Sequence, residues 1–240
     1  MSYQVSDKRR FAEHRGEGHN ENYKPWIKPT EIHGLSTTTA FYDPRVGRHI
    51  SLLSQPELEV YLILSWNDDV IEIREQFPLN RDDTRALAEY YGYKHPYNTH
   101  TMSDNVMTTD FLVNYVDGTM HAYAVKGIPA DKVREDRRTL EKLYIEMKYW
   151  EIRDIPWTLI TAENIPSNIA TNIRQALLYW DPNTVYERNS LILHLIAHKS
   201  IITDMTVLHL PVKQLADALI TDDEKYRQIL TERKQIYANQ

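Results

Sequence analysis

Between Thr108 and Lys126 the chain reads TTDFLVNYVDGTMHAYAVK, two runs of strand-forming residues on either side of Asp117-Gly118. The stretch after this hairpin restricts the fold more than any other feature. Residues 128–155, IPADKVREDRRTLEKLYIEMKYWEIRDI, place Leu140, Leu143, Met147 and Trp150 at helical spacing on one face, and a short apolar run, WTLIT, comes next. Strand, helix, strand is a βαβ crossover, which is right-handed and pairs its two strands in parallel. The hairpin is antiparallel, so an α/β fold with a mixed sheet is expected.

Upstream elements extend the pattern. Ser54-Gln55-Pro56-Glu57 is a helix start, with a capping residue, a proline in the first turn and a glutamate three positions after the cap. ELEVYLILSW continues that helix to near Asn67, and DDVIEIREQFPL comes after it as a strand. Residues 40–53 suggest a short hairpin, and 80–106 are polar and turn-rich, with room for a helix ending at Gly92. The core order is therefore αβββαβ. Residues 1–34 read as an irregular arm; its RGEGH neither follows a strand nor opens a helix, so it is not a phosphate loop. From 165 to 240 strand signals almost vanish. Three organisational segments are expected: an arm (1–34), an α/β domain (35–164) and a small helical domain (165–240), helix-turn-helix or winged-helix-like, or a plain bundle that docks a partner.

Composition narrows the function. The 240 residues contain no cysteine, which excludes disulfides and thiolate metal sites. No apolar run is long enough to span a bilayer and no signal-peptide core is evident, so no membrane role and a cytoplasmic location are expected. Residues 35–165 hold 14 Lys/Arg against 21 Asp/Glu, whereas the tail from 166 balances 8 against 8. An acidic centre does not attract DNA through bulk charge; a divalent cation or a partner would have to assist.

The hairpin carries one acid and one base at its open end. A two-residue Asp-Gly loop would put Asp110 and Lys126 on opposite faces; a three-residue loop, 116–118, would set them diagonally on one face. Glu57 has a structural reading as the capping-box glutamate, yet its helix could aim the carboxylate at Asp110. Asp plus Glu is the oxygen set that holds Mg²⁺ while phosphate fills the remaining positions. A lysine alongside can stabilise the charge of a pentavalent phosphate. Glu146 on the long helix, and Arg74 and Gln76 on the strand after the first core helix, are accessory candidates. His194 and His198 have the i, i+4 spacing of a metal pair but no acid of suitable spacing, so a structural role is expected.

At this point the residues resemble a known family. RGEGHNENYKPWI, HISLLSQPELEVYLILSW, IEIREQFPL, KHP, MTTDFLV, AVK, RRTLEKLYIEMKYW and IPWTLIT occur in this order over about residues 8–162. Together they are similar to TnsA, the endonuclease subunit of heteromeric bacterial transposases. The resemblance implies a restriction-endonuclease-like core followed by a winged-helix-like domain. It implies cleavage of the 5′ ends, the non-transferred strands, of a transposon. It implies double-stranded DNA at transposon ends, a TnsB-type DDE transposase that cuts the 3′ ends, and a TnsC-type AAA+ ATPase as partners. It carries the catalytic acids onto Glu57 and Asp110 and the lysine onto Lys126, with the Val125 carbonyl as a further ligand of Mg²⁺, or of Mn²⁺. One departure stands out: the family usually has Gln two residues before the lysine, and this chain has Ala124.

Two other functions compete with this one, a stand-alone restriction-type nuclease and a non-catalytic adaptor between transposase and ATPase. The basic residues Lys8, Arg9 and Arg10 are expected to touch DNA. Leu191, Leu195, Ile196, Leu215 and Leu219 are expected to form the core of the helical domain, leaving Arg227, Arg233 and Lys234 free.

Overall fold

The structure is a computed structural model that describes residues 6–31, 39–99 and 101–239. It separates into two compact units, Met1–Ile165 and Pro166–Gln240. The first contains α1 (Asp7–Ala12), β1 (Thr39–Asp43), β2 (Arg48–Leu52), α2 (Gln55–Trp66), β3 (Val70–Pro78), α3 (Arg81–Tyr90), β4 (Tyr97–Asn98), β5 (Ser103–Asp104), β6 (Thr108–Tyr115), β7 (Met120–Lys126), α4 (Ala130–Glu135), α5 (Arg137–Glu151) and β8 (Trp157–Thr161). The second contains α6 (Ser167–Leu177), α7 (Arg188–Ala197), α8 (Val212–Leu219) and α9 (Asp223–Ala238).

The main sheet has four strands in the order β3-β6-β7-β8. β3 pairs with β6 and β6 with β7 antiparallel, whereas β7 and β8 run parallel, Val125 opposite Ile160. The sheet is mixed, and the α2-β3-β6-β7-α5-β8 core has the αβββαβ order read from the sequence. One face is covered by α5, where Ile145, Tyr149 and Trp150 pack on Leu112, Ala122 and Met107. α2 borders the other side, with Tyr61 against Phe111 at a ring separation of 6.3 Å.

Two local expectations are corrected. Residues 128–155 form two helices, not one. At Asp136 the backbone is extended (φ −93°, ψ 91°), and its carboxylate caps α5 by accepting from the Thr139 N–H and hydroxyl. An aspartate three residues before a threonine is a legible cap signal. Leu140, in the first turn of α5, is more than a third exposed, while Leu143 and Trp150 are buried.

The expected irregular arm is packed structure. Within the described part of it, residues 6–31, Trp26, Tyr23 and Arg15 are buried. Arg15 holds the segment by pairing with Glu31 at 2.5 Å and donating to the Trp26 carbonyl at 3.0 Å. Its two ends, 1–5 and 32–34, lie outside the described residues. The segment runs along β3, an edge of the sheet, and satisfies groups a free edge would expose. The Tyr23 hydroxyl donates to the Glu75 carbonyl at 3.0 Å and the Trp26 N–H to the Gln76 carbonyl at 3.2 Å.

The second unit is helical, with no strand among its described residues, so no β wing accompanies the helices. Leu191 and Ile196 are buried as expected, but Leu219 is exposed and Ala216 and Ile220 fill that part of the core.

Candidate active site

The β6–β7 loop decides where the acid and the base go. Asn114 pairs with Met120, and the Tyr115 N–H donates to the Thr119 carbonyl at 3.0 Å. The loop is therefore the three residues 116–118, closed by Gly118 at φ +83°, the left-handed conformation that this loop type places on glycine. Asp110 and Lys126 consequently meet diagonally across the pair, and both are half-buried.

Beyond Phe111↔Tyr123 the register ends. There the Asp110 carboxylate accepts the Val125 N–H at 2.6 Å, in place of a backbone acceptor. A strand residue directs its N–H and C=O to the same side, so the Val125 carbonyl also faces the end of β6. On the other side of β6 the register passes from Glu75↔Phe111 to Phe77↔Thr109 without pairing Gln76 to Asp110. Asp110 thus sits where the β6–β7 ladder ends and the β3–β6 ladder skips one pair.

Glu57 approaches from α2. Ser54 caps the helix by accepting the Glu57 N–H at 3.3 Å, and the carboxylate reaches back to the Ser54 hydroxyl and the Leu53 N–H, both at 2.9 Å. The capping role is real but does not exhaust the residue. Glu57 is buried, and burial together with the negative charge of Asp110 pushes its carboxyl up to about 7, against the pull of the Leu53 and Ser54 hydrogen bonds and Lys126. The contact that brings α2 to the end of β7 depends on Gly127: a Cβ there would lie 2.4 Å from Pro56 Cγ.

Glu146 belongs to the same cluster. It is buried on α5, accepts the Thr109 hydroxyl and the Trp157 Nε1–H, the latter at 3.1 Å, and is pushed up to about 7 by burial first and by Asp110 second. Lys126 acts favourably on both glutamates. The charge of Lys126 also reaches Lys142 on α5, whose pKa is lowered by burial and then by Lys126. Lys142 is a second cation at this place, although the sequence pattern puts it on a solvated face. Its signal is faint, one basic residue among several on α5.

Gln76 is buried and donates its side-chain amide to Glu57 Oε2 at 3.1 Å. The other candidates lie elsewhere. Arg74 stands over the Phe77 ring at 4.9 Å and donates to Asn114 at 3.3 Å. Lys8 is exposed. Arg9 pairs with Glu13 at 2.7 Å, and Arg10 with Asp7 and Glu31 at 3.1 and 3.0 Å, so these arginines already face carboxylates. A cavity of about 690 Å³ near α1, lined by Arg10, Trp26 and Arg81, lies outside the carboxylate cluster.

His194 and His198 are structural. Arg233 Nε donates to His194 Nε2 at 3.1 Å, which requires a neutral ring whose Nδ1–H donates to the Tyr179 carbonyl at 2.8 Å. His198 bonds the Trp180 carbonyl at 2.9 Å and stacks on its ring. Arg233, expected to be free, is engaged here.

The donor set at the carboxylate cluster fits a hard divalent cation. Carboxylate and carbonyl oxygens suit Mg²⁺ or Mn²⁺, and both the burial that chiefly raises Glu57 and the charge of Asp110 that adds to it are what a cation would offset. No group of three or more His, Asp and Glu among the described residues has metal-holding geometry. An ion would have to combine Glu57, Asp110 and the Val125 carbonyl with phosphate and water.

The sequence profile described as TnsA-like endonuclease N terminal matches residues 67–162. The match contains Asp110, Val125, Lys126 and Glu146 and begins ten residues after Glu57. The chain is also 41% identical over 170 residues to the transposon Tn7 transposition protein TnsA of Escherichia coli, across 71% of this chain and 61% of that protein. The chain belongs to the TnsA family. It spans about three-fifths of the length of this TnsA relative, and the profile leaves the second unit unmatched. No helix among the described residues of this TnsA-family chain is long and apolar enough to cross a membrane.

Proposed function

We propose that the first unit is a metal-dependent DNA endonuclease that cuts the 5′ ends of a transposon, working with a TnsB-type transposase under a TnsC-type AAA+ ATPase. The observation that supports this most is the meeting of Glu57, Asp110 and Lys126 where the β6–β7 ladder ends, within a fold matched by a TnsA-like endonuclease profile. Glu57, Asp110 and the Val125 carbonyl would hold Mg²⁺, with Mn²⁺ as an alternative. The ion would supply a lowered pKa for bound water and charge neutralisation at the phosphate. Asp110 is fixed by the Val125 N–H, so its free lone pairs are aimed before DNA arrives. Lys126 places a positive charge beside the carboxylates and would stabilise the phosphorane and the departing oxygen. Lys142 would hold an adjacent phosphate of the backbone. Net charge of −6 gives little autonomous affinity for DNA, which favours work inside a complex over a stand-alone restriction-type nuclease. The second unit would dock the ATPase: its charges balance, and Tyr186, Ile202 and Leu208 are exposed on it.

Strand-specific mapping of cuts on a donor plasmid, with both partners and Mg²⁺, tests this. Asp110→Ala and Lys126→Ala are expected to abolish 5′ cuts while 3′ cuts persist, converting simple insertions into cointegrates. A chain ending at residue 165 should cut but no longer respond to the ATPase. Unchanged 5′ cutting by Asp110→Ala would refute the assignment and revive the adaptor reading.

A further inference from the structure

Gln76 combines three features seldom found together in one side chain. It is 1% exposed, it lies inside a strand, and its backbone is left-handed at φ +48°. A non-glycine residue in that region is strained and persists only where its surroundings hold it. The consequence is visible in the alternation of β3. Arg74 stands over the Phe77 ring and Phe77 packs near Trp150, so residues 74 and 77 share the α5 face. Regular alternation would have placed Gln76 there with Arg74. Instead its side chain turns to Glu57, donating Nε2–H to Oε2 at 3.1 Å, while its Oε1 accepts the Thr108 hydroxyl at 3.4 Å. The carboxylate accepts only a donor, which fixes the amide orientation.

The holding force comes from the sequence-distant segment 16–26. Turning the backbone at Gln76 leaves carbonyls on the open edge of β3, and that segment covers them through Tyr23 to Glu75 and Trp26 to Gln76. Its own end is tied to β3 by Glu72, which accepts from His19 at 3.1 Å and from the Asn20 N–H at 2.9 Å. At position 124, two residues before the lysine, the chain offers only a methyl group packed on Val133 and Leu143. The amide next to the carboxylates comes instead from Gln76.

We propose that Gln76 is the positioning residue of the site: pinned in a left-handed backbone by the Tyr23–Trp26 segment, it joins the Leu53 N–H in fixing Glu57 Oε2, so that Oε1, which also accepts the Ser54 hydroxyl, is presented with Asp110 to a divalent cation. This inference rests on the nuclease reading of the same site, and the controls separate the two.

The probe is Ca²⁺ alone, titrated calorimetrically into the full-length protein without DNA. Gln76→Met keeps the volume and removes the donor; Gln76→Gly removes the donor and the backbone cost together. Both are expected to weaken Ca²⁺ binding about tenfold, in the range of lost outer-shell partners of metal ligands. Gln76→Gly should melt no lower than the wild type. Asp110→Ala is the reference and should lose Ca²⁺ binding outright. If Asp110→Ala loses binding while both Gln76 variants stay within twofold of wild type, Gln76 does not position Glu57 and the nuclease reading stands. If Asp110→Ala binds Ca²⁺ normally, the metal site itself falls and the inference with it. If both Gln76 variants lose affinity only in step with loss of folded protein, the residue is structural and the proposal is overturned.

Discussion

Each unit buries a small set of titratable side chains, and the two sets are built on opposite principles. In the second unit His194 and His198 sit one helical turn apart, and every ring nitrogen that the contacts describe has a partner: the carbonyls of Tyr179 and Trp180, and Arg233. Nothing there calls for a ligand. In the first unit Glu57, Asp110 and Glu146 come from three different elements; burial raises both glutamates and Asp110 acts unfavourably on each, with Lys126 as a partial remedy. The histidines look like a metal pair in the sequence and are a packing device; the acids are scattered through the sequence and form the electrostatically uncompensated cluster. Proximity in sequence says little about unmet charge. What matters is whether local backbone groups satisfy the side chain.

The largest expected effect comes from removing a charge while keeping its hydrogen bond. Asp110→Asn retains an acceptor for the Val125 N–H but no longer repels Glu57 or Glu146. Cleavage should fall by about a thousandfold or more, while stability at neutral pH rises by about 1 kcal/mol, the usual trade at a strained site. Denaturant titration alongside the cleavage assay reads both. A variant that is both inactive and less stable would mean that the cluster is not under repulsion.

The comparison next predicts opposite pH responses. Glu57 and Glu146 sit at about 7 in the fold against 4.5 ordinarily. Between those values the folded chain holds the extra protons, so stability falls as pH rises, by about 3 kcal/mol per group at most. Asp110 and Lys126 are the charged groups that act on both. His194 sits at about 4 against 6.5, because burial disfavours its charged form and His198 and Arg233 add to that. There the unfolded chain holds the extra proton, so stability is complete above 6.5 and is lost toward 4. From pH 4.5 to 6.5 the first unit should weaken and the second strengthen. Calorimetric scans across this range, with Glu146→Gln and His194→Gln isolating each contribution as a difference from wild type, check it. Slopes of the same sign in the two differences would break the contrast.

The smallest effect concerns how the cluster is assembled. Gly127→Ala puts a methyl group into Pro56 and should separate the end of β7 from the start of α2. Overpacking of this kind costs about 1–3 kcal/mol, and a displaced Glu57 should slow cleavage about tenfold. A fully active variant would show that the approach of these two backbones is not what aligns Glu57 with Lys126.

Much of the first unit is legible without coordinates because its signals are local. The Ser54 cap, the period-two arms around Asp117-Gly118 and the β7-α5-β8 crossover each depend on residues within a few turns of one another. A three-residue loop then carries Asp110 and Lys126 to one place through strand geometry alone. The break at Asp136 is legible too, through its threonine at 139, but the apolar spacing across it is continuous enough to read as a single helix. Segment 6–31 reads as irregular because its Gly, Asn and Pro residues suppress periodicity, although its aromatic residues Tyr23 and Trp26 are buried.

Sequence by itself determined the order of elements and the mixed sheet, and singled out the acid and the base while leaving open the loop length that brings them to one face, since propensity, capping and alternation act over short distances. Tertiary structure alone decided that Gln76 turns toward Glu57, that Glu146 faces the same charges and that Arg233 belongs to His194. Those outcomes depend on where the ladders end, which edge is covered and how much water is excluded. They arise from contacts between distant residues, 39 positions apart for His194 with Arg233 and 19 for Glu57 with Gln76, and no local pattern encodes them.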